Sequence, residues 1–222
     1  LNRERILVNG GPGTGKTIIA IEVAKRYAFQ KKRTLLTCFN RYLGEWLKGN
    51  FNSEELKYVT VGNIYSIVGI LLQNSNLSFE RFLEEAPLAL LDLIEKSNFQ
   101  HYNALIIDEA QDLINQAYLD IFSLILKDGL KAGEWLMFGD FISQTLFTDH
   151  TIGSMYSIID QRIDEELHIC ELRKNIRNTK ETGLAAVNLS APSQKPYRLT
   201  LDRSGPYAVN FFDNEIMQKE KI

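Results

Sequence analysis

Gly10-Gly11-Pro12-Gly13-Thr14-Gly15-Lys16-Thr17 fits the pattern G-x-x-x-x-G-K-[ST] and lies between the apolar run Ile6 to Val8 and a helix-like run, Ile18 to Phe29. A strand, a glycine-rich turn and a helix in that order make a cradle for phosphate. Oxygens of a phosphate chain must lie against successive backbone N–H groups, and glycines remove the side chains that would block that approach. Gly11, Gly13, Thr14 and Gly15 are therefore candidate nucleotide-binding positions. Lys16 would supply a point charge to the β- and γ-phosphates, and the Thr17 hydroxyl is placed to ligate Mg²⁺. The following helix aims its N-terminus at the anion. The bland alternative is a glycine-rich turn that binds nothing.

Working outward, strand-like and helix-like runs alternate, which predicts an α/β fold: a parallel sheet with helices on both faces. Strands are expected at 5–9, 34–39, 58–61, 104–107, 135–138 and 167–172. Helices are expected at 15–29, 41–48, 63–72, 79–97, 113–127 and 179–188. Pro87 predicts a kink, or two shorter helices, within 79–97. Gly129 reads as a C-terminal stop for 113–127, and Asn178 with Glu181 as a capping box opening the last helix. Residues 66–98 carry apolar side chains at helical spacing with no strand pattern, the mark of a small helical insertion. From Ala191 onward prolines punctuate short strand-like runs. The organisation expected is one domain over 1–190, with the insertion at 66–98, and the start of a second, truncated domain at 191–222. The chain begins almost inside a strand and reads as a segment of a longer protein.

The 222 residues are 45% hydrophobic, enough for a full core. Basic and acidic residues, 25 against 28, leave a net charge of −3, so no global field draws the molecule to nucleic acid and any such contact must be local. Cys38 and Cys170 each sit in an apolar strand-like run without metal-type spacing. They read as buried, reduced thiols and suit a cytoplasmic location. No apolar run is long enough to span a membrane.

A second chemical cluster, Asp108-Glu109-Ala110-Gln111-Asp112, directly follows the apolar strand Ala104 to Ile107. Ligands of parallel sheets bind outside the carboxyl ends of the strands, and the phosphate loop also leaves a carboxyl end, so the two clusters can meet. Asp108 is then placed to hold Mg²⁺, and Glu109 to orient and deprotonate a water that attacks the γ-phosphate. A solvated acidic helix start is the plain alternative.

The two clusters together resemble the superfamily 1 helicases of the UvrD and Rep type. Further pieces follow in that family's order: Thr37-Cys38-Phe39-Asn40-Arg41 is similar to motif Ia, Val61 to Ser66 loosely to motif Ib, Gly139-Asp140 with Gln144 to motif III, and Leu172 with Asn175 to Thr179 to motif IV. The resemblance implies a RecA-like P-loop NTPase domain that uses ATP and Mg²⁺ to translocate on single-stranded or partly duplex DNA, with RNA possible, in concert with the remaining helicase domains of a longer chain. It implies that Gln144 senses the γ-phosphate and that Arg177 lends transition-state charge. Three residues rather than two separate Asp140 from Gln144, Ile176 stands where tyrosine is usual, and the Trp-containing stretch that usually follows motif III is absent. Phe39, Asn40, Arg41, Tyr65 and Phe147 are the candidate nucleic-acid contacts, as aromatic platforms beside a cation, though each aromatic taken alone reads more readily as core than as platform. Lys31-Lys32-Arg33 precedes a strand, hence faces the other end of the sheet, and reads as a solvated loop. The alternative function is a helicase-like ATPase used as a switch or scaffold without unwinding.

Overall fold

The computed structural model describes residues 5–73, 81–141, 157–163, 167–179 and 198–201. Its centre is a six-stranded, all-parallel sheet in the order β3-β2-β4-β5-β1-β6. The strands are β1 (Arg5–Gly10), β2 (Thr34–Cys38), β3 (Val59–Asn63), β4 (Ala104–Ile107), β5 (Glu134–Gly139) and β6 (His168–Leu172). The helices include α1 (Lys16–Phe29), α2 (Arg41–Lys48), α3 (Ile64–Leu71), α4 (Phe82–Lys96), α5 (Gln116–Ile125) and the short α6 (Gly129–Ala132).

Alternation along the central strands builds two cores. Leu7, Leu35, Leu105, Ile107, Trp135 and Met137 face α3, α4, α5 and α6, whereas Ile6, Val8, Leu36, Ile106, Leu136 and Phe138 face α1 and α2. The α/β expectation therefore holds, with helices on both faces. The helical segment between β3 and β4 is α3 and α4, and its buried side chains, Ile67, Val68, Phe82, Ala86 and Leu90, join the first core. Two asparagine side chains open helices there and beside β2: Asn63 Oδ1 accepts from Ser66 N at 2.9 Å and Asn40 Oδ1 from Leu43 N at 3.0 Å.

Several expectations need correction. Of the two outcomes expected at Pro87, the division into two shorter helices does not occur: α4 runs through it as one helix, the ring removing the N–H that would otherwise bond the Leu83 carbonyl. Leu113 does not start a helix, because Glu109 takes a left-handed conformation (φ 51°) and Ala110–Asp112 forms a 3-10 turn, so α5 opens only at Gln116, capped by Asn115. Gly129 does not stop that helix; it is the first residue of α6. Cys170 is exposed, because β6 is an edge strand. Lys32 is not free in solvent: it pairs with Glu134 and lies 4.6 Å from the centre of the Tyr27 ring. Burial and Glu134 together push the Tyr27 hydroxyl's pKa well up.

The chain divides into two compact units, Leu1–Arg173 and Lys174–Ile222, where the sequence suggested a change at 190/191. In the second unit β7 (Lys174–Thr179) pairs in parallel with β8 (Arg198–Leu201). Thr179 is thus the last residue of a strand, and Asn178 lies inside that strand rather than capping a helix. The rest of the expected helix, residues 180–188, lies outside the described residues, as does most of 191–222.

Candidate functional site

The glycine-rich loop leaves β1 at Gly10 and enters α1 at Lys16. Gly13 (φ 78°) and Gly15 (φ 92°) occupy the left-handed region, which a side chain would strain, and Gly15 sits at the mouth of α1. Thr14 ties the loop closed, its Oγ1 donating to Gly11 O at 2.8 Å. Lys16 is buried, and its Nζ donates to Gly10 O at 2.7 Å and Gly11 O at 3.3 Å. The ammonium is therefore held inside the loop by carbonyls that a phosphate could replace.

Asp108 arrives from β4. Ile106 faces α1, so two residues on, Asp108 faces it too. Its backbone N–H donates to Thr37 O at 2.9 Å, which extends the β2–β4 ladder by one residue. The carboxylate is fully buried and neither oxygen has a hydrogen-bond partner of good geometry. Burial is the main reason its pKa rises from 3.8 to about 6. Glu109 pushes it the same way, while the Thr17 hydroxyl, the Glu109 amide and the Lys16 ammonium lie close enough to pull it partly back. The elements that carry Lys16, Thr17 and Asp108 thus converge at one rim of the sheet. Beneath them Cys38, whose thiol donates to Asn40 O at 3.2 Å, is pushed up to about 12 by burial and by the two carboxylates.

Glu109 is only half-buried. Its Oε2 accepts from Gln111 Nε2 at 2.8 Å, and Gln111 Oε1 accepts from the backbone N–H of Asp140, just past β5, at 3.1 Å. On the next residue, Phe141 N donates to Asn9 Oδ1 at 3.2 Å, so the loop leaving β5 is fastened to both β1 and the acidic cluster. Asn9 and Gln111 were assigned no part by sequence reasoning. A polar amide directly after the apolar run Ile6 to Val8, Asn9, is the available signal.

A family model, the Schlafen group 3 DNA/RNA helicase domain, matches residues 3–214. The chain belongs to that family. Comparison with curated protein sequences gives no match. Membership of a Schlafen helicase domain family makes a helicase-related, nucleotide-binding role the coarse reading of the site. The UvrD and Rep resemblance is a finer statement than that membership carries.

In this Schlafen helicase domain the candidate nucleic-acid residues are placed as follows. Phe39 is partly exposed and meets Tyr118 edge-on at 6.5 Å. Asn40 spends its side-chain oxygen on the α2 cap, and Arg41 pairs with Glu45 at 3.1 Å on an exposed helix face. Tyr65 is half-buried against Phe82, with ring centres 5.0 Å apart. Arg177 lies exposed on β7, in the second compact unit. Gln144 and Phe147 lie outside the described residues. Sequence reasoning passed over Tyr42 and Trp46, exposed aromatics one turn apart on α2; their i, i+4 spacing was the signal. Among the described residues no helix is long and apolar enough to cross a membrane, and no cluster of three His, Cys, Asp or Glu side chains could hold a metal by itself.

Proposed function

We propose that this chain binds and hydrolyses ATP with Mg²⁺, as the motor portion of a UvrD-like helicase or translocase acting on single-stranded or partly duplex DNA, or on RNA. The observation that supports this best is the fully buried Asp108 carboxylate beside Thr17 and Lys16, whose pull only partly offsets the cost of its burial. An isolated buried carboxylate is costly unless something cationic completes it. One carboxylate and one hydroxyl are what Mg²⁺ uses when substrate phosphates and waters supply its other ligands, so the residues present fit that ion. Thr17 and Asp108 would hold it, and when bound it would neutralise charge building on the β- and γ-phosphate oxygens.

The remaining parts fall to the chain itself. The Gly11 to Gly15 backbone would cradle the phosphates, and Lys16 would exchange its two carbonyl partners for phosphate oxygens. Glu109, half-exposed and anchored through one oxygen, would orient the attacking water and take its proton. Gln144 as γ-phosphate sensor and Arg177 as transition-state cation complete the proposal. Phe39, Arg41, Tyr65 and Phe147 would meet the nucleic acid.

The test is steady-state ATP hydrolysis by the full-length protein with and without single-stranded DNA or RNA. Stimulation by the strand is expected. Glu109→Gln should keep nucleotide binding and lose hydrolysis, and normal turnover by that variant would overturn the assignment of the base. A second reading, a nucleotide switch that does not unwind, is favoured by the use of the Asn40 side chain as a helix cap rather than a free contact. ATP turnover indifferent to any nucleic acid would select it.

A further inference from the structure

The acidic cluster contains one buried polar side chain that the proposed chemistry does not use. Gln111 is almost wholly inaccessible, yet its amide is fully directed: the nitrogen donates to Glu109 Oε2 at 2.8 Å and the oxygen accepts from Asp140 N at 3.1 Å. A side-chain amide that joins a carboxylate to a backbone N–H on another strand fixes the orientation of both. Space is reserved for it. A Cβ added at Gly139, the last residue of β5, would fall 2.8 Å from Gln111 Oε1 and 2.5 Å from the Phe141 ring, so only glycine lets the amide reach the next residue's N–H. Glu109 itself has a left-handed backbone, costly for a residue with a side chain, and two residues later Gln111 returns to grip it.

We propose that Gln111 is a positioning residue for hydrolysis: it holds the Glu109 carboxylate by one oxygen, leaving the other for water, and makes that orientation depend on where the Asp140 backbone sits. This rests on the hydrolytic reading of Glu109 given above. Its consequence is that any shift of the loop leaving β5 changes the aim of the base without either residue touching the nucleotide. Gln111 makes no proton transfer of its own.

The experiment compares wild type, Gln111→Glu, Gln111→Ala and Glu109→Gln in the full-length protein, measuring kcat and KM for ATP, affinity for a fluorescent ATP analogue, and melting temperature. Gln111→Glu keeps the shape and the acceptor for Asp140 N but replaces the donor that grips Glu109 with a like charge. It is expected to lower kcat roughly tenfold or more, the equivalent of one hydrogen bond made in the transition state, with KM and analogue affinity within about twofold of wild type. Gln111→Ala should lower kcat similarly while also losing thermal stability, so the Glu variant is the one that separates positioning from packing. If Glu109→Gln abolishes hydrolysis while Gln111→Glu turns over at the wild-type kcat, or loses KM and kcat together, the positioning role is wrong and the hydrolytic reading survives. If wild type itself does not hydrolyse ATP, both are wrong.

Discussion

Replacing Asp108 by asparagine should change how stability depends on pH, by an amount the structure sets. The carboxyl titrates near 6 in the folded chain against an ordinary value of 3.8, chiefly because it is buried. Between those values the unfolded chain has already released the proton that the folded chain still holds. The contribution of this group is therefore fully present below the ordinary value and is lost as pH rises through about 6. Above neutrality the penalty reaches about 3 kcal/mol, and about half of that builds up between about pH 5 and about pH 7.5. The asparagine variant has no such titration, and the fixed cost of burying its amide cancels when the two proteins are compared across pH. The assay is thermal unfolding of both without Mg²⁺ or nucleotide. The melting temperature of Asp108→Asn minus that of wild type should rise by roughly 3–6 °C from about pH 5 to about pH 7.5. A difference that stays flat, or falls with pH, refutes the claim that burial outweighs the groups that favour the charged carboxylate. Adding Mg²⁺ with a non-hydrolysable ATP analogue at the upper pH should stabilise wild type and leave the variant almost unchanged.

Gly15→Ala places a side chain where φ is 92°, so it should cost about 1–2 kcal/mol in unfolding experiments and weaken nucleotide binding as well, since the new Cβ stands at the mouth of α1. Trp135→Phe removes the largest fully buried side chain and its 2.9 Å bond from Nε1 to Leu130 O; denaturant unfolding should show a loss of about 2 kcal/mol, with nucleotide affinity unaltered. A thiol reagent at neutral pH should modify Cys170 rapidly in the native protein and reach Cys38 only on unfolding, because Cys38 is buried and its thiol is pushed up to about 12. Equal rates at both cysteines would contradict the edge position of β6.

Much of this architecture is local in origin, and that part was legible. A glycine-rich turn after Ile6 to Val8, and acids after Ala104 to Ile107, fix where two strands end, and parallel strands bring their carboxyl ends to one rim. Even the face that Asp108 takes follows by parity from Ile106. What escaped depends on which strands become neighbours. Cys170 reads as buried because its run is apolar, yet among the described residues β6 has a partner on one side only, and Cys170 and Ile169 are exposed. Leu113 and Ile114 have helical spacing, but the left-handed Glu109 and the turn after it bury them in the core without a helix. Asn178 has a capping pattern, but its segment pairs with Arg198–Leu201 instead, a partner far along the chain.

Gln111 shows the same limit at the site. Within Asp108 to Asp112 it is one more polar residue of an exposed-looking acidic turn, and no spacing rule marks it as buried. Its position becomes meaningful only because β4 pairs with β5, from Ala104↔Glu134 to Ile107↔Met137, which brings the turn after one strand against the loop after the other. The amide then bridges residues 29 apart in sequence. A side chain can be recognised as chemical from its neighbours in sequence only when its partners are also sequence neighbours, as for Lys16 with Gly10 and Gly11. The loop that would carry phosphate satisfies that condition. The device that would aim the base does not, and that is why it had to be found in the fold.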